Sequence, residues 1–149
     1  MSITVSSLSH NDYEQWQTLF SAYADFYKMP MDRTILENVW SWIFDDNKAF
    51  FSLIAKDENG QAVGFMHYRA MPSPLRGKDV GFLDDLFVDP ACRGSGVVDA
   101  LFDALHASAK EQHWPSVRWI TAENNYRGRA VYDRVASKTH WQTYQLDIS

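Results

Sequence analysis

The stretch from Val80 to Ser108 restricts the fold more than any other part of the chain. An apolar run, Val80–Val88, reads as a strand until Pro90 stops it. Arg93-Gly94-Ser95-Gly96 then forms a glycine-rich turn. Behind it Val97, Leu101, Ala104 or Leu105, and Ser108 recur at helical spacing. A helix N-terminus exposes unpaired N–H groups and the positive end of its dipole, so this turn is suited to an anion. Gly94 and Gly96 let the backbone approach it closely, and Arg93 adds a fixed charge. The glycines alone also fit a plain strand-to-helix turn. A P-loop is excluded because Val97-Val98 stands where Lys-Ser/Thr is needed, and the dinucleotide fingerprint lacks its third glycine.

On either side of this unit the chain reads as further short elements. Residues 3–8 suggest a strand. Asn11 and Glu14 have capping-box spacing, and Tyr13, Trp16, Phe20, Tyr23 and Tyr27 line one face of a helix. Lys28-Met29-Pro30-Met31 breaks it, and Asp32 caps a second helix with Ile35 or Leu36, Val39, Trp40 and Ile43 on its face. Ala49–Ala55 and Ala62–Ala70 read as strands joined through Asp57-Glu58-Asn59-Gly60. Pro72, Pro74 and Gly77 mark a loop, and His113-Trp114-Pro115 ends the helix behind the glycine turn. Val117–Ala122 predicts a strand, Tyr126 to Val135 a helix, and Trp141–Ile148 a closing strand. The order is β-α-α-β-β-β-α-β-α-β, antiparallel in its first half and βαβ-like in its second, which makes the class mixed α/β. With 149 residues and no repeat or linker, residues 1–149 are expected to form a single domain.

Composition removes several classes. A hydrophobic share of 46 % and 15 % aromatic residues exclude a disordered chain. No apolar run approaches the roughly 20 residues of a bilayer span, and the N-terminus has neither basic nor apolar signal regions, so no membrane partner is expected. One cysteine, Cys92, fits a reducing cytoplasm. The net charge of −5 argues against nucleic acid and for cationic or small neutral partners.

The glycine turn, Arg93-Gly94-Ser95-Gly96-Val97-Val98, resembles motif A of the GNAT N-acetyltransferases, Gln/Arg-x-x-Gly-x-Gly/Ala. Phe82-Leu-Asp-Asp-Leu-Phe-Val88 is similar to the fourth strand of that family, especially of its diamine (spermidine/spermine) acetyltransferases. Asn125, Gly128 and Tyr132 match motif B, Asn-x-x-Ala/Gly-x-x-x-Tyr. Two departures stand out: Val98, where the family usually has Gly or Ala, and Ala136-Ser137-Lys138-Thr139, where many relatives have Gly-Phe. The resemblance implies the GNAT acyl-CoA N-acyltransferase fold, a mixed sheet of about six to seven strands flanked by about four helices.

It also implies a cosubstrate and roles. Acetyl-CoA would lie in a gap between the fourth and fifth strands. Its pantetheine arm would add to the main chain of Leu86, Phe87 and Val88, and its pyrophosphate would rest on the N–H groups of Arg93, Gly94, Ser95, Gly96, Val97 and Val98. Asn125 would start the last helix or touch the pantetheine. The resemblance makes Tyr132 the acid that protonates the leaving thiolate, with a buried aromatic as the plainer reading. The reaction is direct transfer to a primary amine, which must first lose a proton, and a carboxylate can take it. Asp84 and Asp85 stand inside an otherwise apolar strand, where packing alone does not explain them. Strand alternation sends them to opposite faces, so one of them is expected to meet the acceptor. Asp84 occupies the position of the acid proposed as base in the diamine enzymes; bonds to loop amides are the alternative for both.

Asp25, Phe26 and Tyr27, in the loop region between the first two helices, offer aromatic walls and a carboxylate suited to a cationic amine. Polyamines, amino acids and lysine-like amines lead. Protein or peptide amines, aminoglycosides and a catalytically silent CoA-binding module are alternatives. Cys92 lacks the partners of a nucleophile, and no histidine has metal-ligand spacing, so no metal is expected. His67, in a strand beside Tyr68, reads as an ordinary surface or satisfied histidine, with a place facing the acceptor pocket as the alternative. Dimerisation is common in this fold, and the many aromatics permit a homodimer.

Overall fold

A computed structural model describes residues 2–148. Its elements are β1 (Thr4–Ser7), α1 (Tyr13–Phe26), α2 (Arg33–Ile43), β2 (Phe50–Lys56), β3 (Ala62–Ser73), β4 (Lys78–Val88), α3 (Val97–Glu111), β5 (Val117–Arg118) and α4 (Tyr126–Val135). The strands form one sheet in the order β1-β2-β3-β4-β5, antiparallel through β4 and parallel between β4 and β5. The chain divides into two compact units, one ending at Trp119 and holding the sheet with α1–α3, the other beginning at Ile120 and holding α4.

The α/β GNAT architecture is present with five strands among the described residues, not six to seven. Val117–Ala122 shortens to Val117–Arg118, and Trp141–Ile148 forms no ladder. The alternation of Tyr144, Leu146 and Ile148 is strand-like, but all three side chains are exposed. Alternation without a paired neighbour does not make a strand. The start of α1 also differs from the Asn11/Glu14 spacing. Asp12 accepts from the Ser9 amide (2.8 Å) and pairs with Lys56, so the chain is fixed one turn earlier. Burial pushes the Asp12 carboxyl up, but Lys56 and the Ser9 amide outweigh it and hold it below its ordinary value. Asp32 caps α2 as expected, accepting from the Ile35 amide at 2.9 Å.

The sheet carries a core on each face. Val97, Leu101 and Leu105 of α3 pack against Leu53, Met66 and Leu83 on one side. Trp16 and Phe20 of α1 and Leu36 and Val39 of α2 cover Ile54, Phe65 and Phe87 on the other. Gly81 belongs to this packing, since a Cβ there would lie 2.6 Å from the Trp114 ring.

One irregularity positions the site. His67 of β3 faces Asp85 of β4, yet Tyr68 faces Leu83, so Asp84 is an extra residue in the ladder. Regular alternation would put Asp84 on the α3 face beside Leu86. The bulge instead returns Leu83 to the α3 core and leaves both acids on the face covered by α1 and α2. The expectation that Asp84 and Asp85 point to opposite faces is therefore corrected.

Candidate active site

A cavity of about 500 Å³ opens on the α1–α2 side of the sheet. Trp42 and Val39 of α2, Phe20 of α1 and Phe50 of β2 supply its apolar walls; His67, Arg69, Asp84, Asp85 and Lys48 supply its polar ones. Arg69 Nε donates to both oxygens of Asp84, at 3.0 and 3.3 Å, and its guanidinium stacks 4.8 Å from the Phe82 ring centre. Lys48 Nζ lies 5.3 Å over the Trp42 ring. Burial pushes the Asp84 carboxyl above its ordinary value, with Arg69 opposing and Asp85 adding to the rise. Asp85 differs. It is held through one oxygen, Oδ2, which lies 2.9 Å from His67 Nδ1.

The glycine turn follows β4 at one end of the same strand. Asp89 Oδ1 accepts from the Ala91 amide at 3.0 Å and organises a 3₁₀ turn over Pro90–Cys92. Gly94 (φ +81°) and Gly96 (φ +85°) then adopt left-handed conformations, with nothing within 4 Å of where a Cβ would sit. Glycine is needed here for conformation, not for room. Gly96 stands at the N-cap of α3 and has no side chain with which to cap it, so the turn is suited to an anion at this helix start. Val97 is buried and Val98 packs against the same core, which fixes the turn from beneath.

Beyond the turn, β4 pairs with β5 only at Gly81 and Phe82. From Leu83 to Val88 its outer edge has no strand partner among the described residues, although Leu86, Phe87 and Val88 pair with Met66, Phe65 and Gly64 of β3 on the inner edge. A bare strand edge leading to an uncapped helix N-terminus suits an extended amide chain that ends in phosphates. Both halves of acetyl-CoA fit the residues present.

The sequence matches the model of the acetyltransferase (GNAT) family over residues 13–136. This chain belongs to the GNAT acetyltransferase family. It is 29 % identical over 144 residues to the D-amino-acid N-acetyltransferase HPA3 of Saccharomyces cerevisiae, covering 96 % of this chain and 89 % of that one. A ribosomal-protein-alanine N-acetyltransferase from Brucella melitensis biovar Abortus 2308 superposes with a TM-score of 0.84 at 25 % identity, over 99 % of this chain and 100 % of the other. AAC(6')-Iy, solved with the bisubstrate analog CoA-S-monomethyl-acetylneamine, shares the fold at a TM-score of 0.84 and 19 % identity, over the whole of both chains. The protein is thus an acyl-CoA-dependent N-acetyltransferase.

The remaining expected GNAT site residues lie as follows. Asp25 and Phe26 end α1 and Tyr27 follows it; all three are exposed, and none of them lines the cavity. Tyr27 is nonetheless linked to it electrostatically: burial and then the Asp85 charge push its phenol up. In the second unit, Asn125 caps α4. Its Oδ1 accepts from the Gly128 amide at 3.2 Å and its Nδ2 donates to Thr121 at 2.9 Å. A Cβ on Gly128 would lie 2.5 Å from the Asn125 amide nitrogen, so in this chain a larger residue there would displace the cap. Tyr132 is half-buried on the same helix. Burial, then Asp89 and Asp57, push the Cys92 thiol up and away from its reactive thiolate form. Two cavity residues, Lys48 and Arg69, carry no motif and no sequence signal points to them; His67 takes the less favoured of its two readings, in the cavity wall.

Proposed function

We propose that residues 1–149 act as one catalytic domain that transfers the acetyl group of acetyl-CoA to the amino group of a free amino acid. The observation that carries this reading is the mixed charge of the cavity, where two carboxylates share the walls with Arg69 and Lys48. A polyamine would gain nothing from the two cations. A zwitterion uses both signs, its ammonium near Asp85 and its carboxylate on the cations. Arg69 suits the second task, because Asp84 holds its Nε and both Nη groups make no hydrogen bond among the described residues. The likeness to a D-amino-acid N-acetyltransferase supports the same acceptor class.

In this reading Asp84 serves mainly to orient Arg69, and Asp85 takes the amine proton. The amino group of a free amino acid is mostly an ammonium at pH 7, so it must lose a proton before it can attack. The cosubstrate supplies a thioester carbonyl for the amine to attack. The ammonium gives its first proton to Asp85, and the neutral amine then attacks. The C–N bond forms as the C–S bond breaks; Tyr132 protonates the leaving thiolate and is restored by the second proton lost from nitrogen, carried through solvent. Leu86, Phe87 and Val88 bind the pantetheine through their main chain, the Arg93–Val98 turn binds the pyrophosphate, and Asn125 fixes the helix that carries Tyr132. A single cysteine, which can form no internal disulfide, supports a cytoplasmic location.

The test follows CoA thiol release from acetyl-CoA with D- and L-amino acids, their amides, spermidine, an aminoglycoside and a basic peptide, in a Cys92→Ser background. Amino acids are expected to outperform their own amides. Faster turnover of spermidine or the peptide would replace the proposed acceptor, and no release with any amine would favour the silent CoA-binding module.

A further inference from the structure

We infer that His67 is a positioning residue, locked by Trp16 as its Nδ1–H tautomer so that it holds Asp85 ready to accept the amine proton. Its chemical role rests on the reading above; its geometry does not.

Trp16 Nε1 lies 2.9 Å from His67 Nε2, and His67 Nδ1 lies 2.9 Å from Asp85 Oδ2. An indole nitrogen only donates, so His67 Nε2 must be the acceptor. The ring proton therefore sits on Nδ1 and points at the carboxylate. Both rings are fully buried. The imidazole is boxed by Phe20 and Phe65 at 4.8 Å and by Phe50 at 5.5 Å between ring centres, which prevents it from turning over. A second proton would set two N–H groups face to face in this box. The ring is thus a donor to Asp85 through Nδ1.

The effect falls on Asp85 alone. Its Oδ2 is fixed, while its Oδ1 makes no hydrogen bond among the described residues, on a carboxylate that lines the cavity. Asp84 gives both oxygens to Arg69. The charged and titratable groups around the pair are Tyr27 just after α1, Arg69 from β3, Asp84 beside it on β4, and Lys48 before β2; those α2 side chains that line the cavity, Val39 and Trp42, do not titrate. A well-placed general base contributes roughly 10²–10⁴ in rate, and loss of its orientation should remove part of that.

Two measurements test this. Two-bond 1H–15N spectra of histidine-labelled protein, assigned with His67→Gln, should show His67 as the Nδ1–H tautomer; Trp16→Phe, which keeps a ring but removes the donor, should admit the Nε2–H form. In steady-state assays His67→Leu should lower kcat about tenfold or more with KM for the amino acid within about twofold, and His67→Gln, which offers both donor and acceptor, should recover most of the loss. An Nε2–H tautomer in the wild type overturns the lock. Wild-type kcat in a folded His67→Leu, while Asp85→Asn is inactive, overturns the positioning role and leaves the transferase reading standing. A wild type that acetylates no amino acid removes that reading instead, and the spectra still decide the tautomer.

Discussion

Replacing Arg69 by Gln separates an amino-acid acceptor from a plain amine, because the structure fixes what the side chain has left to offer. Its Nε is committed to Asp84 at 3.0 Å and its face to Phe82, so an incoming carboxylate would meet the Nη edge. A hydrogen bond to a charged group contributes about 1.5–3 kcal/mol when sheltered. The Arg69 side chain is 46 % exposed, so solvent screening argues for the low end, about 1.5 kcal/mol or roughly tenfold in binding. KM for the amino acid should rise by about that factor while kcat holds, since Arg69 is assigned no part in the proton transfer. The same amino acid as its amide keeps the amine and loses the carboxylate. For that substrate the variant should match the wild type, or improve slightly, because Asp84 is then freed to attract the cation. The assay is thiol release across both substrates and both proteins, which forms a cycle with a coupling of about 1.5 kcal/mol. Added salt should shrink the preference for the free acid in the wild type alone. Equal KM changes for acid and amide, or none for either, would refute carboxylate recognition by Arg69.

Three further outcomes follow from the geometry. Gly96→Ala forces a Cβ into a left-handed turn at φ +85° and should cost about 1–2 kcal/mol, read as a lower Tm together with weaker acetyl-CoA binding by calorimetry. Asp84→Asn should stabilise the fold at pH 7. Burial raises its carboxyl, so the folded state holds that proton more tightly than the unfolded chain and is penalised once the group ionises; the gain should vanish in melts run below the ordinary aspartate range. Asn125→Ala removes the cap of α4, worth about 1 kcal/mol, and should speed hydrogen exchange at the Gly128 amide relative to the β2 and β3 amides.

Much of this fold was legible because its signals are local. Asp32 announces α2 through a bond that spans three residues, and the glycines before α3 announce a backbone conformation that other residues rarely adopt. Tyr126–Val135 forms a helix with the expected bounds. Motif B rests on Asn125, Gly128 and Tyr132, close together in sequence, and Asn125 accepts from the Gly128 amide. What stayed hidden depends on register between distant segments. Trp16 and His67 are 51 positions apart, and only the pairing of β3 under α1 brings them together. Trp141–Ile148 fails in the opposite sense, having the local alternation of a strand but no described neighbour to pair with.

The acids of β4 stand between these cases. Leu83 and Leu86 both pack on the α3 side, a spacing of three in a strand whose period is two. That mismatch was visible in Leu83-Asp84-Asp85-Leu86 and admits one ready solution, an extra residue between the two leucines. Read as plain alternation, the segment separates the acids across the sheet and leaves one carboxylate for the acceptor. Read as a bulge, it delivers two to one cavity, and only then can they divide the work: Asp84 turned to Arg69 and Asp85 to His67. The chemistry proposed for this cavity follows from the single residue that the ladder leaves out.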